Sequence, residues 1–240
     1  MKVYAVTNPG PHKSENEDRI IVGKSILANG RLFGEVDTGF LAIADGVGGN
    51  NAGAVASSFV TTSLCSVKEA TQEVFSSINE ELVKLSFQQL DYEGMATTLT
   101  GIHFGVDCVR LFNVGNSRVY LLQSRKYLKQ LTTDDTTLNY LLSTGQLSAE
   151  DADNFDRKNE ITACFGGGKT ALLRLKLSCI DRPTSPVMIT SDGIHDYLSI
   201  DQMEDIIAEY GISEKTCLVM VEEARKAGSV DDISILLGDE

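Results

Sequence analysis

Tryptophan is absent from this 240-residue chain, which also has only four prolines and three histidines. With so little proline, no stiff linker divides it. Internal repeats and low-complexity tracts are missing too, so residues 1–240 read as a single domain, long enough to bury a sizeable core. No apolar run reaches the roughly 18 residues that a membrane-spanning helix needs. The opening stretch MKVYAVTNPGPHK is too poor in apolar residues for a secretory signal, and a cytoplasmic location is the expectation. The cysteines (65, 108, 164, 179 and 217) include no CxxC pair, and no Cys/His cluster has zinc-ligand spacing. They read as reduced, mostly buried thiols. Positive charge is scarce as well: 21 Lys and Arg against 34 Asp and Glu leave a net charge of −13. Such a surface repels nucleic acid and anionic membranes, and neither is expected as a partner.

What is present is patterned. KVYAVT (2–7), GFLAIA (39–44), TLTGIHFGV (98–106), RVYLLQS (118–124), VMITS (187–191) and ISILLG (233–238) are β-rich runs bounded by turn residues. LLRLKLS (172–178) alternates like a half-buried strand. Between them, residues 66–90 carry an apolar stripe at three- and four-residue steps (Val67, Ala70, Val74, Ile78, Leu82, Leu85), the mark of an amphipathic helix. Further helices are expected at 51–65, around Met203 to Tyr210, and at about 213–226. The close succession of 98–106, 108–114 and 118–124 suggests antiparallel neighbours. An α+β layered fold is therefore favoured over a doubly wound parallel sheet.

Four acidic motifs lie at strand ends or turns: ENEDR (15–19), ADGVGG (44–49), TSDGIHD (190–196) and VDDIS (230–234). Asp45 and Asp192 each follow an apolar strand and precede a glycine. A lone Asp-Gly is ordinarily a turn. Two such units beside two more acidic clusters suggest a shared site of hard oxygen ligands, suited to Mg²⁺ or Mn²⁺. The rival reading is ACFGGGKT (163–170), which ends like a phosphate-binding P-loop. Ala163 stands where the first glycine belongs, and neither flank has the required strand–loop–helix pattern, so it reads as a turn.

In this order the motifs resemble those of the metal-dependent serine/threonine protein phosphatases of the type 2C family, especially the compact bacterial ones. NEDR, IADGVGGNNAGAVAS, GMATTLTG, NVGNSRVYLL, QLTTDDTT, TSDGIHDYLS and SVDDISILL carry the likeness from about residue 4 to 238. The resemblance implies a four-layer α-β-β-α sandwich: two antiparallel sheets face to face, flanked by helix pairs. It implies a centre of two Mn²⁺ or Mg²⁺ ions, with Asp45 bridging both and the Gly46 carbonyl binding one. Asp192 and Asp231 would bind the other ion, and Glu17 and Asp18 would act through water. A hydroxide bridging the two cations would then hydrolyse phosphoserine and phosphothreonine, with no side-chain nucleophile.

Departures from the family pattern sit beside the matches. Lys13 occupies the place of a phosphate-clamping arginine, offering charge without a bidentate fork. Asn116 replaces an aspartate that, with the match to Asp196, holds a third metal in relatives, so that third site is expected to be weakened. Asp135 stands where a histidine is common. His195 reads as packing rather than catalysis, and Arg118 as structural. Residues 134–170 correspond to a flap insertion beside the site. These departures keep an alternative open: a weakly active or inactive pseudophosphatase that binds phosphoproteins or senses metal. The resemblance further suggests a monomer acting on phosphorylated proteins, a cognate kinase or its targets among them.

Overall fold

The computed structural model describes residues 1–48, 52–168 and 173–240, with only the backbone of Asp153. The chain begins with β1 (Lys2–Asn8), β2 (Arg19–Gly23), β3 (Ser25–Leu27), β4 (Gly30–Glu35), β5 (Gly39–Ala44) and the short β6 (Gly46–Val47). Two helices follow, α1 (Ala52–Leu64) and α2 (Gln72–Ser86). Then come β7 (Ala96–Thr97), β8 (Leu99–Phe104), β9 (Val109–Val114), β10 (Arg118–Gln123) and β11 (Tyr127–Gln130). The next elements are α3 (Thr137–Ser143), β12 (Phe165–Gly166), β13 (Lys176–Ile180) and β14 (Val187–Thr190). The chain closes with α4 (Asp192–His195), α5 (Ile200–Tyr210), α6 (Glu214–Lys226) and β15 (Ile233–Asp239).

Two six-stranded sheets result, ordered β11-β10-β14-β15-β1-β4 and β13-β9-β8-β5-β2-β3, with β12-β7-β6 as a small third sheet. Every strand pairing is antiparallel. The reason the central strands read as unbroken apolar runs is visible along β5. Leu41 and Ile43 face the other sheet with Val3, Ile189 and Leu236, while Phe40, Ala42 and Ala44 face α1 and α2. Helices α5 and α6 cover the outer face of the first sheet through Met203, Ile207, Cys217, Met220 and Ala224. Layers of helix, sheet, sheet and helix follow from strands buried on both faces.

Local signals set most helix ends. The hydroxyl of Thr71 accepts from the Val74 amide at the start of α2, and Ser199 with Gln202 forms a capping box on α5. These bonds satisfy amides that a helix start leaves unpartnered. α2 occupies only the middle of the 66–90 stripe, because Ser66–Ala70 precede that cap. The strand expected at 172–178 is shifted: β13 covers Lys176–Ile180, and Leu172, like Asn51 of the expected first helix, lies outside the described residues. β2, β3, β4 and β11 had no counterpart in the sequence reading. The P-loop rival finds no support, since Phe165–Gly166 pairs with β7 and β13 follows; its Lys169 lies outside the described residues.

One cysteine expectation is corrected. Cys108 and Cys179 form a disulfide with Cα atoms 6.0 Å apart, whereas Cys65, Cys164 and Cys217 are free. The pairing of β13 with β9 brings together two thiols 71 positions apart. Nothing in their spacing announces that.

Candidate active site

Strand register assembles the acidic centre. β2 and β5 run antiparallel with Arg19 opposite Ala44, so the next residue on each side, Asp18 and Asp45, leaves the ladder at the same point. β14 and β15 pair with Thr190 opposite Ile235, which brings Asp192 and the Asp231–Asp232 pair to the same end of the other sheet. Four motifs scattered through the chain thereby meet at one mouth of the sandwich.

Each carboxylate is held by its surroundings. Asp45 is anchored through its backbone: its amide donates to Thr98 Oγ1 (3.1 Å), and its carbonyl accepts from the Thr98 amide (2.8 Å) and Thr97 Oγ1 (3.0 Å). Gly46 has no room for a side chain. A Cβ there would lie 2.3 Å from the Gly53 oxygen and 2.7 Å from the Glu17 oxygen. The first turn of α1 and the Glu17 backbone therefore press directly on the loop. Asp192 opens α4; its Oδ2 accepts from Asn116 Nδ2 at 2.9 Å.

The electrostatics are severe. Burial, with the charges of Asp232 and Asp192, pushes Asp18 up to about 7. Burial, with Asp231 and Asp196, pushes Asp192 up to about 6. Asp45 is driven well above the ordinary carboxylate range by burial and by the charges of Asp18, Asp192 and Asp231. Among the described residues, Glu17 Oε1, both oxygens of Asp18 and Asp192 Oδ1 are buried with no close hydrogen-bond partner, and the nearby Ser234 and Ser191 hydroxyls draw Asp18 only partly back down. Buried carboxylate oxygens without partners are costly unless a cation answers them. The donor set is oxygen only, which fits Mn²⁺ or Mg²⁺. Among the described residues, no three Asp, Glu, His or Cys side chains converge closely enough to hold a metal ion by themselves.

Lys13 answers part of this charge. Its Nζ donates to Asp231 Oδ1 (2.6 Å) and Asp232 Oδ2 (3.1 Å) and lies 3.5 Å from Glu17 Oε2. Burial pulls this ammonium down, but its bonds and attraction to Asp231 and Asp232 prevail and hold it above its ordinary value. Asp232, passed over in the sequence reading, is 2% exposed. It accepts from the Gly10 amide and the Glu17 amide, each at 2.8 Å. It thus pins the loop that carries Lys13, Glu17 and Asp18. Of the two adjacent aspartates in VDDIS, one faces this loop's backbone and the other is left half-exposed.

The remaining candidates fall around a cavity of about 250 Å³ whose lining includes Asn116, Arg118, Asp134, Asn159, His195 and Asp196. Arg118 makes a bidentate pair with Asp134, Nε to Oδ1 at 3.1 Å and Nη2 to Oδ2 at 2.7 Å. That is a structural role. His195 is buried, its Nδ1 lies 2.8 Å from Thr190 Oγ1, and burial holds it well below the ordinary histidine range. It is packed, not poised to give up a proton. Asp135 pairs with Lys176 at 2.5 Å and accepts from the Gly115 amide at 3.1 Å. Asp196 accepts from Asn159 Nδ2 at 2.6 Å, which ties the 134–170 segment to the end of α4.

Sandwich and carboxylate cluster together define an α-β-β-α protein with an acidic centre at the mouth of its two sheets. No protein-family model matches the chain. The serine/threonine phosphatase Stp of Listeria monocytogenes is 31% identical over 246 residues, spanning 96% of this chain and 92% of that protein. The protein phosphatase PhpP of Streptococcus pneumoniae is 28% identical over 99% of this chain and 96% of its own. The solved structure of the Mycobacterium tuberculosis serine/threonine phosphatase PstP superposes with a TM-score of 0.81 at 25% identity, covering 100% of this chain and 99% of that one. The PstP catalytic domain in complex with two manganese ions superposes with a TM-score of 0.76, at 25% identity and with coverage of 100% and 99%. The chain belongs to the bacterial serine/threonine phosphatases of the type 2C family.

Proposed function

We propose that the protein is a metal-dependent phosphatase that hydrolyses phosphoserine and phosphothreonine in proteins. The observation that carries this reading is the set of buried, unpartnered carboxylate oxygens at Glu17, Asp18 and Asp192 beside Asp45. Asp45, the Gly46 carbonyl, Asp192 and Asp231 would hold two Mn²⁺ or Mg²⁺ ions, with Glu17 and Asp18 reaching them through water. When bound, such a pair supplies a water acidified towards neutral pH and offsets charge on the phosphoryl oxygens.

The chain's own groups do the rest. Thr97 and Thr98 fix the Asp45 peptide, so its carboxylate is aimed before substrate arrives. Lys13, at the rim, presents the positive charge available to a substrate phosphate, and Asn116 orients Asp192. Because Asn116 is neutral and donates its amide to Asp192, a third cation beside Asp196 would bind weakly. The proposal extends to phosphorylated proteins as substrates, a kinase or its targets among them, and to a monomer in the cytoplasm. No helix among the described residues is long and apolar enough to cross a membrane. The 134–170 segment is proposed as a flap of this single domain. The pseudophosphatase alternative has no observation in its favour.

Turnover of a phosphomonoester and of a phosphothreonine peptide with Mn²⁺ tests the proposal. Wild type should be active, and Asp192→Ala should lose at least about 10²-fold, the scale expected when an electrostatic stabiliser is removed. Asn116→Asp should take up one more Mn²⁺ per chain in calorimetry. An inactive wild type, or a fully active Asp192→Ala, defeats the assignment.

A further inference from the structure

We infer that Lys13 is a built-in counter-cation of this centre, competing with a divalent ion for the oxygens of Asp231 and with that ion's water shell for Glu17. The inference rests on the phosphatase reading above and adds a regulation of metal loading to it. The geometry that carries it is local. The loop before β2 is folded tightly over the Asp231–Asp232 turn: a Cβ on Gly10 would lie 2.3 Å from the Val230 oxygen. Arg225 bonds the Asp231 carbonyl (2.7 Å) and the Pro9 carbonyl (2.7 Å), fastening the two segments together. The Gly10 and Glu17 amides, both on Asp232, close the loop from either side of Lys13. Lys13 itself turns back through its amide to the Gly10 carbonyl (3.0 Å). Its side chain is thus delivered to one spot, not spread over solvent.

At that spot the ammonium meets Asp231 Oδ1 and Asp232 Oδ2 as hydrogen-bond acceptors, with Glu17 Oε2 as a third anion. Asp231 Oδ1 also accepts from the Asp232 amide at 2.8 Å, so the carboxylate is oriented from both sides. An ammonium and a hard divalent ion want the same ligands, carboxylate oxygens, and one oxygen cannot serve both at full strength. Lys13 therefore keeps three like charges from repelling one another, and it must give up Asp231 before an ion is held there. Asp45 also feels the Lys13 charge, but among the described residues no ammonium or guanidinium pairs with its carboxylate, so an ion there meets a weaker competitor. Loading should accordingly proceed in two steps of unequal affinity, the weaker one set by Lys13.

Calorimetric titration of the chelator-stripped full chain with MnCl₂, paired with thermal melts, tests this. Lys13→Met and Lys13→Gln should tighten the weaker Mn²⁺ step by about tenfold, the equivalent of one charge-assisted hydrogen bond. Both should also show a larger Mn²⁺-induced rise in Tm than wild type. Lys158→Met, which removes a lysine lining the neighbouring cavity, should change the same step by less than about twofold, since it touches none of these oxygens. Unchanged or weaker Mn²⁺ binding in the Lys13 variants overturns the inference, as does equal tightening in Lys158→Met. A wild type that binds no Mn²⁺ at all defeats the underlying metal reading instead. Two neutral replacements guard against one that fails to fold.

Discussion

Asp232 does more for the centre than its place next to Asp231 suggests. Its two oxygens accept from the Gly10 amide, the Glu17 amide and Lys13, and almost none of it reaches solvent. Asp232→Ala would leave two buried backbone donors without an acceptor and take one of two acceptors from the Lys13 ammonium, a loss of about 2–4 kcal/mol. Chemical denaturation should show that loss as a lower midpoint at unchanged slope, and Asp232→Asn should recover part of it. The sequence showed only two adjacent aspartates, and adjacency does not say which one a loop 220 positions earlier will wrap. Asp45 and Asp192 were legible because an apolar strand, an aspartate and a glycine form a local pattern. Lys13 was legible as a charge near the site, but its partners were not, because lysine reach depends on how the loop folds.

Among the elements, the Gly46 loop and α1 press closely on one another near the site. A Cβ on Gly53 would meet Glu17 Oε1 at 2.6 Å and the Gly46 carbonyl carbon at 2.7 Å. Gly53→Ala must therefore push α1 away from the loop, and overpacking of this kind costs about 1–3 kcal/mol. The expected readout is a lower Tm together with weaker Mn²⁺ binding, because Gly46 and Glu17 move with the helix. Unaltered stability and metal binding would show that the contact yields freely. Gly46 and Gly53 thus serve close packing, a use that a glycine cluster cannot distinguish from a phosphate cradle until α1 is placed. Strands buried on both faces were readable as apolar runs. β2 was not, since its residues follow directly on an acidic motif, and β4 alternates between half-exposed and exposed positions with no clean apolar face. β13 sits at a sheet edge with its outer residues in solvent, which blurred its boundaries.

For the whole molecule, the clustered charge makes stability depend on pH and on divalent ions. Asp18 at about 7 and Asp192 at about 6 titrate above their ordinary range in the folded chain. From about pH 4 to 7 the folded form therefore holds more protons than the unfolded form, so stability falls as pH rises through that window and levels off above it. In chelator, the melting temperature should be higher at pH 5 than at pH 8. Added Mn²⁺ should restore the loss at pH 8 and do little at pH 5, where protons already occupy the carboxylates. A flat profile in chelator would refute this account.

The pairing of Asp231 and Asp232 with a loop some 220 residues earlier also governs when the centre can exist. β15 lies between β1 and β14 in its sheet, so both must wait for it to find a partner on that side. During synthesis Lys13, Glu17 and Asp18 emerge some 210 residues before Asp231 and Asp232 and go without those partners through most of translation. Contacts this distant in sequence close late and slowly. The proposed centre thus waits on its own topology until translation has passed β15, and a chain cut short of Asp231 is expected to bind no Mn²⁺ pair.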